Sequence, residues 1–539
     1  MLKIALLAAS LAVARAYVWP SPYDFLEDGY SVATGLNAGG MMAEISTCGA
    51  APFGGRLSGR QAAAEWIRTA YHDMATHDVN TGLGGLDGSI GFETNRPQNI
   101  GSAMNTSMVF FAGFQGRTSS VSDVMALSVI LATKQCGGPS VPFRAGRVDA
   151  TSGGPETVPE PHQSLESHIE SFAKQGFNAE EMIGLVACGH TLGGTHEIDF
   201  PQTVNGAVTG DNPEGVMHFD KTFDAFDNHI ATEWIDGTTS NPLAAGFNAT
   251  TNSDARIFAS DGNKTMQGFA SDPASFQKVC GNLFERMLNT VPRSVQLTDV
   301  IEPLPVKPFG LTLALVESGA LALSGWIRIF SNAPEAANAN ADNMPVTLIW
   351  KDRNGASNAS YSTTPTAASQ TSTSIFGSFV HFWQVDAEIQ PEFGHSSFVV
   401  DWAFDAQEGL TRADNGGGGF PLQDVVLFQP IGSCNTLTTT TVIVNIRNDL
   451  GAVTSPTVEY TLNVAIQGTI ATRPNTTFVA LSPTSSPASF SPLYDTYIGT
   501  FPRGPQIPLG RTTFDVVATV GGKEYKQLNN LAVQGACGF

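Results

Sequence analysis

The feature that most restricts how this chain can fold is a change in its hydrophobic pattern near residue 291. Before that point apolar residues recur at three- and four-residue spacing, as Val124, Leu127 and Leu131 do. After it, short runs such as 346–350 are rich in β-branched and aromatic residues and alternate with polar ones. The first spacing is typical of amphipathic α-helices and the second of strands. The sequence therefore predicts a multidomain protein, with a mainly α-helical domain followed by an all-β, sandwich-like region.

The length and two local patterns suggest where the domains begin and end. A chain of 539 residues exceeds what one hydrophobic core usually organises. Lys3, a mostly apolar run and then Ala14-Arg15-Ala16 predict a signal peptide over residues 1–16. We place the helical domain at 17–296, a Pro-rich linker at 297–309 and the β-rich region at 310–539. This region forms one sandwich, or two with a division near residue 433.

The composition excludes two classes of partner. The chain has 28 Lys+Arg against 49 Asp+Glu, a formal net charge of -21, so a phosphate backbone would be repelled and nucleic acid is not expected. Beyond the signal peptide no segment has the length and apolarity of a membrane span. We therefore expect a secreted, extracellular protein.

Cysteines and glycosylation sequons fit an extracellular location. Four cysteines fall in the helical part and two in the β-rich part, which favours disulfides within each part, although fifteen pairings are open: Cys48, Cys136, Cys188, Cys280, Cys434 and Cys537. Five sequons permit N-glycosylation, at Asn105, Asn248, Asn263, Asn358 and Asn475. The expected product is a disulfide-bonded glycoprotein.

Two short stretches of the helical part carry residues for chemistry. Arg68 and His72 stand four apart and therefore share one helix face. An isolated His190 on a later helix can approach the same cavity from the other side, which is an arrangement that holds a haem. On such a haem a base moves a proton between the two oxygens of hydrogen peroxide, and a cation stabilises charge as the O–O bond breaks. We assign the base to His72, the cation to Arg68 and the iron ligand to His190.

These stretches also resemble the motifs of a known family. They are Arg68-x-x-x-His72-Asp73, Gly85-Leu86-Asp87-Gly88-Ser89, Gly146-Arg147 and Gly189-His190-Thr191. Together they resemble the plant, fungal and bacterial haem peroxidase superfamily, most nearly its secreted fungal (class II-like) members, over roughly residues 45–295. The resemblance implies haem b as cofactor, and hydrogen peroxide with small organic reductants as substrates.

The resemblance implies roles for further residues by position. Asn99 resembles the catalytic-side Asn that accepts a hydrogen bond from His72, and Asp254 resembles the carboxylate that bonds His190. Two calcium ions are implied as well. The distal calcium would be bound by Asp73, Gly85, Asp87 and Ser89, and the proximal calcium by Thr191, Asp220, Thr222, Ala225 and Asp227. Oxygen donors of this kind are the ones that calcium requires.

The chain also departs from the family pattern. Tyr71 stands where relatives carry Phe or Trp, so that an oxidisable phenol and a simply packed ring are both open. The positions of a manganese site read Gln61, Glu65 and His196, with one carboxylate, so we do not expect that site. Leu185 and Phe219 replace the tryptophans that relatives use for long-range electron transfer.

The β-rich region carries no comparable motif. Its tryptophans, Trp326, Trp350, Trp383 and Trp402, fit a sandwich core, and would offer contact with a polysaccharide or cell wall only where exposed. We therefore expect a secreted haem peroxidase that reduces hydrogen peroxide and oxidises small reductants by one-electron steps. The alternative is a wall- or polymer-binding protein whose peroxidase domain is mainly structural.

Overall fold

The computed structural model describes residues 17–54, 59–486, 488–503, 513–531 and 535–537. The predicted signal peptide, residues 1–16, lies outside the described residues. The α-helices of this described part all precede residue 290: α1 (Asp24–Ser31), α2 (Ala62–Met74), α3 (Ala103–Ala112), α4 (Val121–Gln135), α5 (Leu165–Lys174), α6 (Ala179–Gly189), α7 (His229–Asp236), α8 (Ser253–Phe258), α9 (Lys264–Ser271) and α10 (Pro273–Asn289). In the described residues no helix is both long enough and apolar enough to cross a bilayer.

Side-chain caps define where several helices begin. Ser120 Oγ accepts a hydrogen bond from the backbone N–H of Asp123 at the start of α4. Asn178 and Glu181 form a capping box at the start of α6, as the sequence predicts for Asn178. Such caps satisfy N–H groups that have no partner inside the helix. The sequence predicts both starts, with a helical pattern over 120–136 and Asn178 as the N-cap of the later helix, because such contacts are local.

The sequence also predicts a helix over 221–235, and the structure shows that the first half of this prediction is wrong. Helix α7 begins only at His229. Before it, Ala225 N–H donates to Thr222 O at 2.7 Å and Thr222 N–H donates to Asp220 Oδ1 at 3.0 Å, so the segment is folded into turns. A side-chain acceptor for a nearby backbone N–H competes with helix formation, and here the turn prevails.

The helical core centres on α4, which is buried on nearly every face. A helix that is apolar all round belongs in the middle of a core, and α4 packs against α1, α2 and α3. Trp66 of α2 is buried against Phe110 and Phe111 of α3, with ring centroids 5.2 and 5.6 Å apart. Packing of α2 on this side leaves its Arg68 and His72 face directed to a cavity.

Disulfides join distant parts of the chain within each region. Cys48 pairs with Cys136 and Cys188 pairs with Cys280 in the helical part, and Cys434 pairs with Cys537 in the β-rich part. The prediction of pairing within each part is confirmed.

The β-rich region follows directly. Three short strands lie in the helical part or join it: β1 (Thr34–Gly35), β2 (Gly194–His196) and β3 (Val216–His218). The remaining strands are β4 (Val306–Leu315), β5 (Leu321–Ser331), β6 (Val346–Lys351), β7 (Ser362–Thr363), β8 (Thr366–Ala367), β9 (Ser372–Thr373), β10 (Phe379–Ile389), β11 (Ser397–Trp402), β12 (Thr411–Ala413), β13 (Phe420–Pro421), β14 (Val426–Asn435), β15 (Thr439–Arg447), β16 (Val453–Ala465), β17 (Thr472–Ala480), β18 (Ser482–Thr484), β19 (Tyr494–Pro502), β20 (Thr513–Val520) and β21 (Lys523–Leu531). The predicted succession of a mainly α part and an all-β part is confirmed.

These strands form two sandwiches with separate cores. In the first, sheet β4-β5-β10-β8 packs on sheet β12-β11-β6-β7, and in the second, sheet β14-β15-β19-β18 packs on sheet β17-β16-β20-β21. The first core contains Trp350, Trp383 and Trp402, so these rings fill the sandwich as expected. Residue 433, near which the sequence placed a division, lies inside β14; the two sandwiches instead divide between β13 and β14.

The segment 297–309, predicted as a linker, is not a free spacer. Backbone N–H groups of Thr298 and Ile301 donate to Ala145 O and Phe143 O of the helical domain, at 2.9 and 2.8 Å. Strand β4 already begins at Val306. The prolines were therefore misleading, because main-chain hydrogen bonds and the first strand order the segment against both domains.

A buried ion cluster joins α1 to the first sandwich. Glu27 has no exposed surface and accepts hydrogen bonds from Lys307 Nζ at 2.6 Å and from Arg328 Nη2 at 2.6 Å. Burial opposes ionisation of Glu27, but the charges of Arg328 and Lys307 outweigh it and hold its pKa at about 2. The cluster, in which Asp28 also lies 3.0 Å from Lys307 Nζ and 3.1 Å from Arg328 Nη1, therefore attaches α1 to the β-rich region through several ion pairs.

We expect Glu27→Gln to lower the free energy of unfolding at pH 7 by about 3 kcal/mol, because two buried cations lose a charged partner. The folded-state pKa of Glu27 lies below its usual value of 4.5, so this contribution is present above pH 4.5 and is lost as pH falls through about 2. Urea unfolding of both proteins from pH 7 downward measures the difference. The exposed-residue control is Glu335→Gln, and an equal loss in that control would contradict the assignment.

Candidate active site

The helical domain encloses a cavity of about 370 Å³ that receives the predicted catalytic side chains. Arg68, Tyr71 and His72 reach it from α2. His190 reaches it from the end of α6, and Asp254 from α8. Among the described residues that line the cavity, none comes from the β-rich region. Residues that are more than a hundred positions apart are thus brought to one site.

On the α2 side, Asn99 orients His72. Asn99 is fully buried and its Nδ2 donates to Glu93 O at 3.0 Å, which fixes Oδ1 as the free acceptor. That oxygen lies 2.8 Å from His72 Nδ1, so Nδ1 carries the proton and donates it. Nε2 of His72 is then the unprotonated nitrogen. Burial, helped by the positive charge of Arg68, lowers the pKa of His72 to about 3, which keeps the ring neutral and able to act as a base.

Arg68 supplies a positive charge beside that base. Its Nη2 donates to Ile100 O at 3.3 Å, and its guanidinium carbon lies 5.2 Å from the centre of the Phe200 ring. Burial lowers the pKa of Arg68 to about 10, which leaves it charged at neutral pH. A fixed cation of this kind can stabilise negative charge that develops in the cavity.

On the α6 side, a carboxylate orients His190. His190 is the C-cap residue of α6, and its Nδ1 lies 2.8 Å from Asp254 Oδ2. Asp254 is almost completely buried and also accepts from Asn241 Nδ2 at 2.8 Å. Phe219 stacks on the His190 ring at 4.4 Å with an angle of 15° between the planes. A ring that donates from Nδ1 to a carboxylate presents Nε2 as a strong metal ligand.

Comparison with known proteins agrees with this geometry. Residues 55–272 match the family model described as Peroxidase. The chain is also 34% identical over 146 residues to L-ascorbate peroxidase 5, peroxisomal, of Arabidopsis thaliana. That match covers 26% of this chain and 51% of that protein. The helical domain of this chain belongs to the haem peroxidase superfamily. It is called the peroxidase domain below.

Two other relatives place this result in context. The chain is 37% identical over 387 residues to a WSC domain-containing protein of Arthroderma benhamiae, a match that covers 71% of this chain and 52% of that protein. It is 28% identical over 136 residues to a mitochondrial cytochrome c peroxidase of Emericella nidulans, which covers 24% of this chain and 37% of that protein. The chain thus spans about half, or less, of the length of these relatives. The greater resemblance to secreted fungal members of the superfamily stays a prediction.

Tyr71 lies on the cavity wall of the peroxidase domain beside His72. Its ring stacks on Phe172 with centroids 5.8 Å apart, and its hydroxyl lies 3.4 Å from Gln175 Oε1. Burial raises the pKa of Tyr71, so the phenol stays protonated. Because an amide oxygen is a poor proton acceptor, these contacts favour the packed ring over an oxidisable phenol.

The predicted distal calcium ligands surround the buried Asp73 carboxylate. Its Oδ2 accepts from the N–H groups of Asp87 and Gly88, and its Oδ1 from Ile90 N–H, each at 2.8 Å. Ser89 N–H donates to Asp87 Oδ1 at 3.1 Å, whereas the Gly85 N–H bonds Thr76 Oγ1. Burial and then the charge of Asp87 raise the pKa of Asp73. Among the described residues no cationic side chain forms an ion pair with either of these two buried carboxylates, which fits a bound cation.

The predicted proximal ligands also lie together. Thr191 Oγ1 donates to Asp227 O at 2.6 Å and Thr222 Oγ1 donates to Asp227 Oδ1 at 3.0 Å. Ala225 belongs to the same turn. Asp220 is buried, and its Oδ2 has no hydrogen-bond partner among the described residues. That orphaned oxygen fits a metal ligand, because an unpaired buried carboxylate is otherwise costly.

Neither set contains many charged groups. Among the described residues, no three Asp, Glu, His or Cys side chains converge in a way that could hold a metal. Each predicted calcium site therefore depends on hydroxyl and main-chain oxygens in addition to its two carboxylates, which suits calcium better than zinc.

Sequence reasoning missed two groups of residues around the cavity. Asn241 bonds Asp254, but it lies thirteen positions away in a loop and no motif marks it. Arg60 forms ion pairs with Asp199 at 2.8 Å and Glu214 at 2.6 Å. Glu65, which the sequence analysis names only as the one carboxylate at the manganese positions, lies 3.8 Å from the same guanidinium. Only the folded chain brings these acids together, so spacing along the sequence carries no sign of them.

Proposed function

We propose that the chain is a secreted haem peroxidase that binds haem b, reduces hydrogen peroxide and oxidises small organic reductants by one-electron steps. One observation carries the proposal: His72 and His190 face the same cavity, and each is oriented through Nδ1 by a buried acceptor at 2.8 Å. Both rings then present Nε2, one as a base and the other as a metal ligand. Two histidines that merely filled a core would not both need a buried acceptor that orients the ring through Nδ1.

The residues present fit a haem. Haem, when bound, supplies an iron centre that exchanges electrons with peroxide and with the reductant. His190 Nε2 would hold that iron, and Asp254 would increase the electron donation of the ring by accepting its Nδ1 proton. Phe219 restricts rotation of the ring by stacking on it.

On the other side, the chain's own residues move one proton. His72 Nε2 accepts the proton of the near oxygen of hydrogen peroxide, and Asn99 stabilises the ring that results by accepting from Nδ1. The same nitrogen then gives the proton to the far oxygen, which leaves as water. Arg68 stabilises the negative charge on that oxygen as the O–O bond breaks.

Two features support the extracellular location that we propose. The described cysteines all form disulfides, which persist in oxidising compartments. Among the sequons, Asn105, Asn358 and Asn475 are exposed and open to glycosylation. Mass spectrometry before and after glycosidase treatment tests the glycosylation of these asparagines.

The proposed calcium ions lead to a prediction about stability. We expect a chelator to lower the thermal midpoint of the peroxidase domain by several degrees, and added calcium to restore it, because binding to the folded state alone stabilises that state. Asp220→Asn should raise the calcium concentration needed for this stabilisation about tenfold, because the buried Oδ2 loses its charge. The matched control is the exposed Asp342→Asn. A wild-type thermal midpoint that is the same with and without chelator would contradict the metal assignment.

The proposed reaction is tested on the full chain after loading with haem. We expect a Soret band, a rapid spectral change on mixing with hydrogen peroxide, and return to the starting spectrum with a reductant. A panel of phenols, dyes and Mn(II) identifies the reductant class. A chain that binds no haem, or a loaded chain that does not react with hydrogen peroxide, would contradict the proposal.

A wall- or polymer-binding function is the second candidate. It is favoured by a row of aromatic rings on the first sandwich, where Phe393 is 52% exposed and lies 6.2 Å from Tyr361, which stacks on Trp350 at 6.1 Å. Exposed rings of this kind can stack on sugars. Sedimentation of the chain with insoluble glucan or chitin tests this, and loss of binding in Phe393→Ala and Tyr361→Ala would support it.

A further inference from the structure

The second sandwich contacts the peroxidase domain at a loop that hydrogen-bonds Asp73 and Asn99. We call residues 466–471, between β16 and β17, the tip hairpin, and residues 85–93 the distal loop. Ile470 N–H donates to Gly91 O at 3.3 Å. A Cβ added to Gly91 would lie 2.9 Å from Ala471 Cβ and 3.1 Å from Ala471 Cα. The tip hairpin therefore lies directly against the distal loop, with no room for a methyl group.

A chain of hydrogen bonds links the same sandwich to the other end of the distal loop. Thr472 Oγ1 donates to Gln115 Oε1 at 2.6 Å, and Gln115 Nε2 donates to Asp149 Oδ2 at 2.7 Å. The following residue, Ala150, donates its N–H to Asp87 O at 2.7 Å. The buried Gln115 thus connects strand β17 to Asp149 through two side-chain bonds, and the backbone N–H of Ala150 continues the connection to the loop.

The distal loop contacts two residues that hold His72 in place: Asp73, which follows it in the sequence, and Asn99, which bonds its ring. Its Asp87, Gly88 and Ile90 N–H groups donate to the carboxylate of Asp73, the residue after His72. At its end, Glu93 O accepts from the amide of Asn99, which orients the His72 ring. A displacement of this loop would therefore move both the backbone next to His72 and the acceptor of its Nδ1 proton.

We propose that the tip hairpin is a positioning segment for the distal side of the cavity, so that the second sandwich tunes the reaction with peroxide without contributing a side chain to it. The expected effect on the reaction with peroxide rests on the proposed function. The expected effect on the order of the distal loop does not depend on it. This positioning role of the β-rich region differs from polymer binding.

The test uses Gly91→Ala in the full chain. The backbone of Gly91 has no left-handed conformation, so the new methyl group acts by its contact with Ala471. We expect the amides of Asp87, Gly88 and Ile90 to exchange with deuterium about tenfold faster, and the haem-loaded chain to react with hydrogen peroxide about tenfold more slowly, since small misplacements of catalytic groups have effects of this size. Ala471→Gly added to Gly91→Ala removes the nearest contact and should recover much of both effects.

Two controls separate positioning from general destabilisation. Gly268→Ala is the matched substitution, because a Cβ at Gly268 of α9 meets nothing within 4 Å. Ser372→Ala removes a 3.1 Å hydrogen bond to Leu36 O, which is a contact between strand β9 of the β-rich region and the peroxidase domain away from the distal loop. Both should leave loop exchange and the peroxide rate unchanged.

The outcomes are distinct. Faster exchange confined to the distal loop in Gly91→Ala, with recovery in the double variant, supports the inference. Unchanged loop exchange, or an increase spread over the whole chain, overturns it. A wild type that fails to react with peroxide refutes the proposed function, while the exchange data still decide whether the hairpin orders the loop. A normal peroxide rate despite faster loop exchange overturns the kinetic part.

Discussion

His72→Leu is expected to slow the reaction with hydrogen peroxide by about 10²–10⁴-fold, while haem remains bound. The range is the usual contribution of a positioned acid-base group. The physical reason is the loss of Nε2, the unprotonated nitrogen defined by the Asn99 contact at Nδ1. Leu preserves the volume and apolarity of the site, so that the cavity itself should survive. Stopped-flow absorbance in the Soret region at several peroxide concentrations measures the rate constant.

Two further variants make this result specific. Asn99→Val keeps His72 but removes the acceptor of its Nδ1 proton, and should produce a smaller loss of about tenfold. His381→Leu replaces a histidine of the first sandwich, whose Nε2 bonds Ala368 O, and should leave the rate unchanged. A His72→Leu protein that reacts as fast as the wild type would show that another group is the base.

His190→Ala is expected to disrupt haem binding itself. It removes the side chain whose Nε2 would hold the iron, and it leaves the buried Asp254 without its partner in the cavity. We expect at least a tenfold loss of haem affinity and a Soret band that is absent or displaced. Added imidazole should restore part of the band by filling the space of the lost ring. Titration of the haem-free chain with haem measures the affinity.

Asp254→Asn is the matched variant for this second prediction. It keeps an oxygen near His190 Nδ1 and the bond to Asn241 remains feasible, but the charge is lost. Haem should stay bound, and the reduction potential of the iron should rise because His190 becomes a weaker donor. If His190→Ala shows wild-type haem affinity and an unaltered spectrum without imidazole, then His190 is not the ligand.

The peroxidase domain and the β-rich region are joined more closely than a domain linker implies. Glu27 of α1 bonds Lys307 and Arg328 of the first sandwich, and Gly91 of the distal loop contacts the second sandwich at Ile470 and Ala471. One contact attaches the first helix of the described residues, and the other holds the loop that bonds Asp73, the residue after the proposed base. Variants at these two places therefore separate an effect on stability from an effect on reaction rate.

Local patterns in the sequence determined much of the site. Arg68 and His72 share a helix face because of the helical period, and Asn178 begins α6 because its side chain caps the next turn. Resemblance to the family supplied Asn99 and Asp254, which the structure places 2.8 Å from His72 and His190. These features depend on short segments, and short segments are what motif and period describe.

Only the tertiary structure decided which distant residues meet. The sequence assigned Lys307 to a linker, whereas it is buried against Glu27, 280 positions earlier. No period marks Gln115 as the partner of Thr472, which is 357 positions away. Such contacts arise from how two sandwiches pack on a helical domain, and the free energy of that packing is shared among many residues rather than carried by a motif. The sequence by itself therefore determined the chemistry of the cavity, and the packing of the domains decided what holds its distal side in place.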